Sequence, residues 1–391
     1  MTSDPRPLSG IRVVELGSLI AGPMAGRVFA DFGAEVIKVE NPVAPDPMRK
    51  WGRVLDGDRS LWWAVQSRGK NLVALDLKDP DEATVLRRLL DEADVLVENF
   101  RPGTLERLGF EPDVLWETNP GLVIARVSGY GQTGPMSHKA GFAAVAEAVG
   151  GLRHMNGYPG QAPPRSGISL GDTLASMFAV QGVLTALYWR DAQGGGRGQI
   201  VDVSLVEACY AMLEGATAEY GHAQVVPQPS GSRLDGLAPS NIYRSSDGVW
   251  MAIAANQDTV FIRLCAAMGE PGLAEEERYS THRARGEHQD ELDELVSAWA
   301  ATRPADELER VLEEHGVPAG RVNTIADIFH SGLFRAREMI VPVTDDEGVI
   351  HQPGIVPKLS RTPGRIQGNG SAIVGRDNAR YLSASVTEDA S

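Results

Sequence analysis

Asp172 is the carboxylate whose surroundings in sequence suggest chemistry. It lies in GISLGDTLASMFAVQGVLTALYWRDAQGGGRG, from Gly167 to Gly198, directly after Gly171 and at the opening of a long apolar run. Two roles fit a carboxylate there. As a helix N-cap it accepts backbone N–H bonds. As a nucleophile it divides one difficult acyl transfer into easier steps, and the positive end of the helix dipole would favour its anionic form. The residue pattern alone leaves both open. Other chemistry is less supported. Cys209 and Cys265 sit in separate apolar runs with no CxxC pair, which suits small buried hydrophobes. The eight histidines form neither HxxxH nor HExxH, so no zinc site is expected. Gly17, Gly22 and Gly26 are spaced too widely for GxGxxG, which argues against a nicotinamide cofactor.

The elements that must position Asp172 are legible from periodicity. Leu174, Met177, Phe178, Gln181, Leu184 and Tyr188 recur at helical spacing and predict one face of an amphipathic helix, which ends at Gly194-Gly195-Gly196. Upstream, Ile11–Leu16 predicts a strand, Ala21–Phe32 a helix and Ala34–Glu40 a second strand, a βαβ unit with a right-handed crossover. Trp51–Trp63 is expected to be irregular, with a turn at Asp56-Gly57-Asp58. Further strands are expected at Asn71–Leu77, Asp94–Phe100, from Leu122, and from Ile200. Helices are expected from Asp79 to Ala93, at Thr104–Leu108 and from Leu205 to Tyr220. The Pro, Gly and Ser content of Pro227–Ser240 marks a linker. Beyond it a hairpin about Ser246-Asp247-Gly248 and helices near Asp258–Met268, Glu287–Ala301 and Ala305–His315 suggest a separate α+β domain. The tail after Leu382 is expected to fray.

Composition narrows the function further. With 391 residues the chain exceeds one ordinary domain. Its 52 acidic against 37 basic residues give a net charge of −15, which repels nucleic-acid backbones, so an anionic ligand needs a local basic pocket. The polar N-terminus lacks the apolar core of a secretory signal, and no window offers ~18 uninterrupted apolar residues for a membrane span. A cytoplasmic protein is expected.

Six stretches in order carry a resemblance: LSGIRVVELGSLIAGPMAGRVFADFGAEVIKVE, DVLVENFRPGTLERLGF, VSGYGQTGP, GDTLASMFAVQGVLTAL, GGGRGQIVDVSLVEA and HGVPAGRVNT. From about Pro7 to about Asp377 the chain resembles the family III CoA-transferases, which include formyl-CoA and carnitine-CoA transferases. The resemblance implies an α/β fold: a Rossmann-like, doubly wound parallel-sheet large domain with a smaller α+β domain, in an interlocked homodimer. The corresponding limits are 1–225 for the N-terminal part of the large domain, 226–240 for a linker, 241–325 for the small domain, and 326–391 for a linker and return to the large domain.

The same resemblance places the family's nucleophile on Asp172. It places CoA-contacting positions on Ile20 and Ala21, Leu75 to Lys78, Asn99 to Arg101, Arg107, and Lys139 with Ala140. Lys78, Arg101, Arg107 and Lys139 are then anchors for CoA phosphates, Phe100 a cover for adenine or pantetheine, and Gly129, Gly131 and Gly134 points of close backbone approach. CoA enters as substrate, with no tightly bound cofactor and no metal. The chain departs from the formyl-CoA transferases at three points. Asn41 replaces a phosphate-binding arginine, Ile20 a glutamine that orients the aspartyl intermediates, and 231–240 lacks their glycine run. The related 2-methylacyl-CoA racemases place a histidine and an acid where Gly141-Phe142-Ala143 stands, which leaves no base for an α-proton. The expected activity is therefore CoA transfer from an acyl-CoA to a carboxylic acid through an aspartyl anhydride and thioester. Racemisation and CoA binding without catalysis are the alternatives.

Overall fold

A computed structural model describes residues 6–55, 59–345 and 348–382. The expected turn at Asp56-Gly57-Asp58 and the tail after Leu382 lie outside the described residues.

Six short strands run through the first half of the chain: β1 Arg12–Glu15, β2 Glu35–Glu40, β3 Asn71–Ala74, β4 Val95–Glu98, β5 Val123–Ser128 and β6 Ile200–Ser204. They pair in the order β3-β2-β1-β4-β5-β6, every pairing parallel. Chain order reverses between β1 and β4, and that reversal opens a crevice beyond their carboxyl ends.

Alternate side chains face opposite sides of the sheet. Val13, Val36, Val95, Val97 and Val127 pack with helix α1 (Ala21–Asp31). Val14, Ile37, Val39, Leu96 and Ile124 pack with Leu86, Leu89 and Leu90 of α2 (Pro80–Asp91). Asp79 caps α2 as expected, accepting from the N–H groups of Asp81 and Glu82. The expected irregular stretch before Trp63 contains a short helix, Leu61–Gln66, capped by Ser60.

After β5 come α3 (Ala143–Val149) and the 23-residue α4 (Leu170–Ala192), then β6 and α5 (Leu205–Tyr210). Helix α4 corrects the sequence reading of its buried face. Its large apolar stripe is not the buried face: Met177 and Tyr188 are 47% and 69% exposed, and Leu184 is exposed too. The core side is built from Ala175, Ala179, Val183 and Ala186, whose small side chains let the helix lie close to the sheet. By length and apolar content α4 also satisfies the test for a membrane span, yet its small-residue side is embedded in the domain core. The helix expected to run on from Leu205 stops at Tyr210, and Glu214 nearby adopts φ +48°.

The chain forms two compact units. The first gathers the residues up to Leu152, Ser166–Ala218, and those from Leu333 onward. Its C-terminal part forms the hairpin Ile340–Asp345 with Gly348–Pro353. It then covers edge strand β3, with Asp377 accepting from Leu72 N and Asn378 Oδ1 from Ala74 N. The second unit comprises Arg153–Arg165 and Glu219–Gly332. Residues 153–165 thus group differently from the sequence-based limits. Hydrogen bonds explain this, as Gly231 N donates to Gly157 O and His154 Nε2 lies 3.1 Å from Pro227 O. A three-stranded antiparallel sheet (Ser240–Arg244, Trp250–Ala254, Ala319–Arg321) and the helices Asp258–Met268, Gln289–Ala300 and Ala305–Glu314 bury Tyr243, Met251, Ile253, Val296 and Leu308.

Candidate active site

A cavity of about 240 Å³ lies at the carboxyl end of the sheet, lined by residues that follow β1, β4, β5 and β6 and by the start of α4. Asp172 lines it together with Ile20, Ala21, Asn99, Phe100, Arg101, Lys139 and Ala140. Residues from five of the six quoted stretches therefore meet at one place. The expected contacts at Leu75 to Lys78 and at Arg107 are not in this lining. The Leu75 side chain is 1% exposed within the core beneath the sheet, so it offers no side-chain contact to a ligand. Lys78 and Arg107 are exposed elsewhere, and Arg107 donates to Thr104 Oγ1. Asn41 is engaged in local hydrogen bonds. Its side chain accepts from Val43 N and Ala44 N and donates to Asp76, a turn-forming role.

Asp172 is not the cap of its helix. Ser169 occupies the N-cap without a side-chain cap bond, and Asp172 is the third helical residue. The carboxylate thus sits in the first turn, where the dipole favours an anion. Ser176, fully buried one turn on, fixes this turn. Its Oγ lies 2.7 Å from Ala21 O and 2.7 Å from Asp172 O, tying α4 to the first residue of α1.

The loop after β1 is held from below by buried charge. Leu19 adopts φ +64°, a conformation costly for a side chain with a Cβ. Its N–H donates to both carboxylate oxygens of Asp46, at 3.0 and 3.2 Å. Asp46 pairs at 3.0 Å with Lys38 Nζ, which donates to Gly17 O at 2.6 Å and Glu15 at 3.1 Å. Burial opposes the Lys38 charge, but Glu15, Asp46 and Glu40 outweigh it and hold the ammonium above its ordinary value. Lys70, on the far side of Glu15 at 2.7 Å, is pulled down by burial to about 8.

Across the switch point, Asn99 closes the crevice by a two-way bridge. Ser18 N donates to its Oδ1 at 2.8 Å, and its Nδ2 donates to Ser18 O at 2.9 Å. Gly17 allows this approach, because a Cβ there would meet Asn99 Oδ1 at 3.0 Å. Phe100 N donates to Glu98, which also accepts from Arg126 Nε. Burial pushes the Glu98 carboxyl above its ordinary value despite Arg126. Gly129 and Gly141 form the cavity floor in backbone contact, where a Cβ on Gly129 would stand 2.7 Å from Gly141 Cα.

Two supporting groups were not visible as site residues in the sequence: Ser176 and the Lys38–Asp46 pair. A signal did exist for Lys38, a lone charge inside the apolar strand VIKVE. Cys209, one of the thiols expected to be inert, borders the site. Its Sγ would stand 3.3 Å from a Cβ on Gly171, and burial, with Glu147 and Asp172, raises its thiol to about 11. It stays protonated at neutral pH and does not compete as a nucleophile.

A doubly wound parallel sheet with a cavity at its switch point defines an α/β protein of the ligand-binding, doubly wound class. The family model of CoA-transferase family III matches residues 8–378. The chain is 47% identical over 388 residues to succinyl-CoA–D-citramalate CoA-transferase of Chloroflexus aurantiacus, covering 98% of this chain and 96% of that one. It is 32% identical over 384 residues to succinate–glutarate CoA-transferase of Agrobacterium fabrum, covering 96% and 95%. Among solved structures, a CaiB/BaiF family protein from Brucella suis superposes with a TM-score of 0.84 at 30% identity, covering 97% of this chain and 99% of that one. The chain belongs to CoA-transferase family III and is a CoA-transferase.

Proposed function

We propose that the protein carries CoA between acids through covalent states of Asp172. A carboxylate oxygen of Asp172 attacks the donor thioester carbonyl and expels CoA thiolate, leaving a mixed anhydride. The thiolate attacks the Asp172 carbonyl, releases the donor acid as its carboxylate, and forms an aspartyl-CoA thioester. The acceptor carboxylate attacks that thioester and expels the thiolate again, giving an anhydride of Asp172 with the acceptor. Thiolate attack on the acceptor carbonyl then releases the new acyl-CoA and restores the Asp172 carboxylate.

In this reading Ile20, Ala21, Asn99, Phe100, Arg101, Lys139 and Ala140 contact the CoA thioester, with Arg101 and Lys139 as its cationic partners. Leu75 would take part only through its backbone, and Lys78 and Arg107 would act outside the cavity. Helix α1 starts at the cavity wall with no side-chain cap, so its amide dipole can stabilise oxyanions formed at Asp172. The names of the similar enzymes support succinyl-CoA as donor and a short dicarboxylate, with or without a hydroxyl, as acceptor. The outward apolar stripe Met177, Leu184, Tyr188 and Trp189 supports pairing with a second copy.

The observation that carries the reading is the cavity's ionisable set: one carboxylate, Asp172, with Arg101 and Lys139. A racemase needs a base reaching the α-carbon, and the lining offers no histidine and no second acid, with Phe142 at the relevant wall. Capping does not account for Asp172, since Ser169 holds the cap position. The test is a matrix of acyl-CoA donors and carboxylic acids scored by product mass. Transfer from succinyl-CoA to a C4 or C5 dicarboxylate supports the reading. Deuterium incorporation at an acyl α-carbon without CoA exchange would replace it with racemisation.

A further inference from the structure

Behind Asp172 lies a second carboxyl group that the proposed steps do not use. Glu147, on α3, is 3% exposed. Its Oε1 lies 3.5 Å from Gly171 N, the amide preceding Asp172 in the first turn of α4. Among the described residues no ion pair engages it, whereas the buried Glu15, Asp31, Glu40 and Glu98 each have a cation within 3.1 Å. A buried carboxyl without a cation is costly to retain. Position 171 is tightly bounded as well, because a Cβ on Gly171 would meet Ala143 O at 3.2 Å and Cys209 Sγ at 3.3 Å. Helices α3 and α5 thus pack against Gly171, and a carboxylate oxygen of Glu147 faces its amide.

We infer that Glu147 is a positioning residue whose negative charge biases Asp172 toward its acylated states. The inference rests on Asp172 being the nucleophile. Free Asp172 carries a charge, while its anhydride and its thioester do not. The charge leaves with the donor acid when the thioester forms, so the balance is Asp172 carboxylate plus acyl-CoA giving Asp172–CoA thioester plus free carboxylate. A carboxylate beside the first turn repels only the free form. By accepting from Gly171 N, it also offsets the dipole that would otherwise stabilise the Asp172 anion and blunt its attack. Without Glu147, α4's positive end would favour the resting enzyme over the loaded one.

The experiment uses the full-length protein with succinyl-CoA and succinate at fixed ratios, acid quench, and intact-mass measurement of the CoA-bound fraction. Glu147→Gln keeps an acceptor for Gly171 N and removes the charge, so it isolates the electrostatic role. The equilibrium ratio of thioester to free enzyme is expected to fall roughly tenfold in Glu147→Gln, and to recover in part in Glu147→Asp. A purely structural role predicts an unchanged ratio in a folded Glu147→Gln protein, checked by its thermal transition, and that result overturns the inference. Absence of any adduct in the unsubstituted protein overturns instead the reading of Asp172 on which it rests.

Discussion

The two ends of the central sheet both collect positive charge, but they use it differently. At the amino end, a depression lined by Arg6, Lys70, Asn71, Arg376 and Arg380 surrounds Glu35. Most of the cations there are engaged: Arg12 at 2.9 Å and Arg380 at 2.6 Å share Glu35 with the Tyr381 hydroxyl, and Lys70 is bound to Glu15. At the carboxyl end, Arg101 and Lys139 are exposed on the cavity wall, and among the described residues neither has a carboxylate partner. In a chain of net charge −15, two exposed cations beside one cavity are what the proposed reception of an anionic substrate requires. The amino end uses its charges to hold strands and termini together; the carboxyl end keeps them available.

Substitutions can sharpen or break this contrast. The largest effect is expected from Asp172→Asn, which should lower kcat by about 10⁴-fold or more while calorimetry still detects CoA binding. Next, Asp46→Asn leaves Lys38 without one of its buried anionic partners, while the amide oxygen of the substituted side chain still accepts from Leu19 N. A loss of about 3–5 kcal/mol in urea unfolding, with a matching fall in turnover, would show that buried charge holds the cavity loop. Arg101→Ala and Lys139→Ala should each raise KM for acyl-CoA roughly tenfold with kcat nearly kept, the amount of a lost charge-assisted bond. The mirror substitution at the amino end, Arg380→Ala, should leave KM unchanged and cost at most about 1 kcal/mol of stability. A KM effect there equal to that of Arg101→Ala would erase the distinction between the two ends. The smallest effect concerns Cys209. Its thiol titrates higher in the folded chain, so the folded state binds more protons above pH ~8.5. Stability should therefore decline as pH rises toward about 11, and Cys209→Ser should remove that part of the decline in pH-dependent melting curves.

The strands and the order of the first βαβ unit were legible because buried parallel strands are short apolar runs bounded by turns. Asp172, Asn99, Phe100 and Arg101 were legible as candidates through their motifs, and Lys139 only through the family resemblance. What joins them was not. Ser176 meets Ala21 across 155 positions, and Leu19 meets Asp46 across 27, distances over which local spacing carries no signal. Helix α4 shows another limit. Both of its sides are apolar, so periodicity found a face without telling that the alanine side is the one packed on the sheet. Charged residues inside apolar strands, Glu15, Lys38, Glu98 and Arg126, were the overlooked clue, since a lone charge in a buried strand requires a partner.

The central claim is that Asp172 becomes covalently acylated during transfer. The most direct measurement incubates the protein with succinyl-CoA, adds hydroxylamine, and reads the peptide containing Asp172 by mass spectrometry. The account predicts a hydroxamate on Asp172 that appears only with the donor and is absent from Asp172→Asn. An unmodified Asp172 peptide recovered while CoA is being transferred would contradict it.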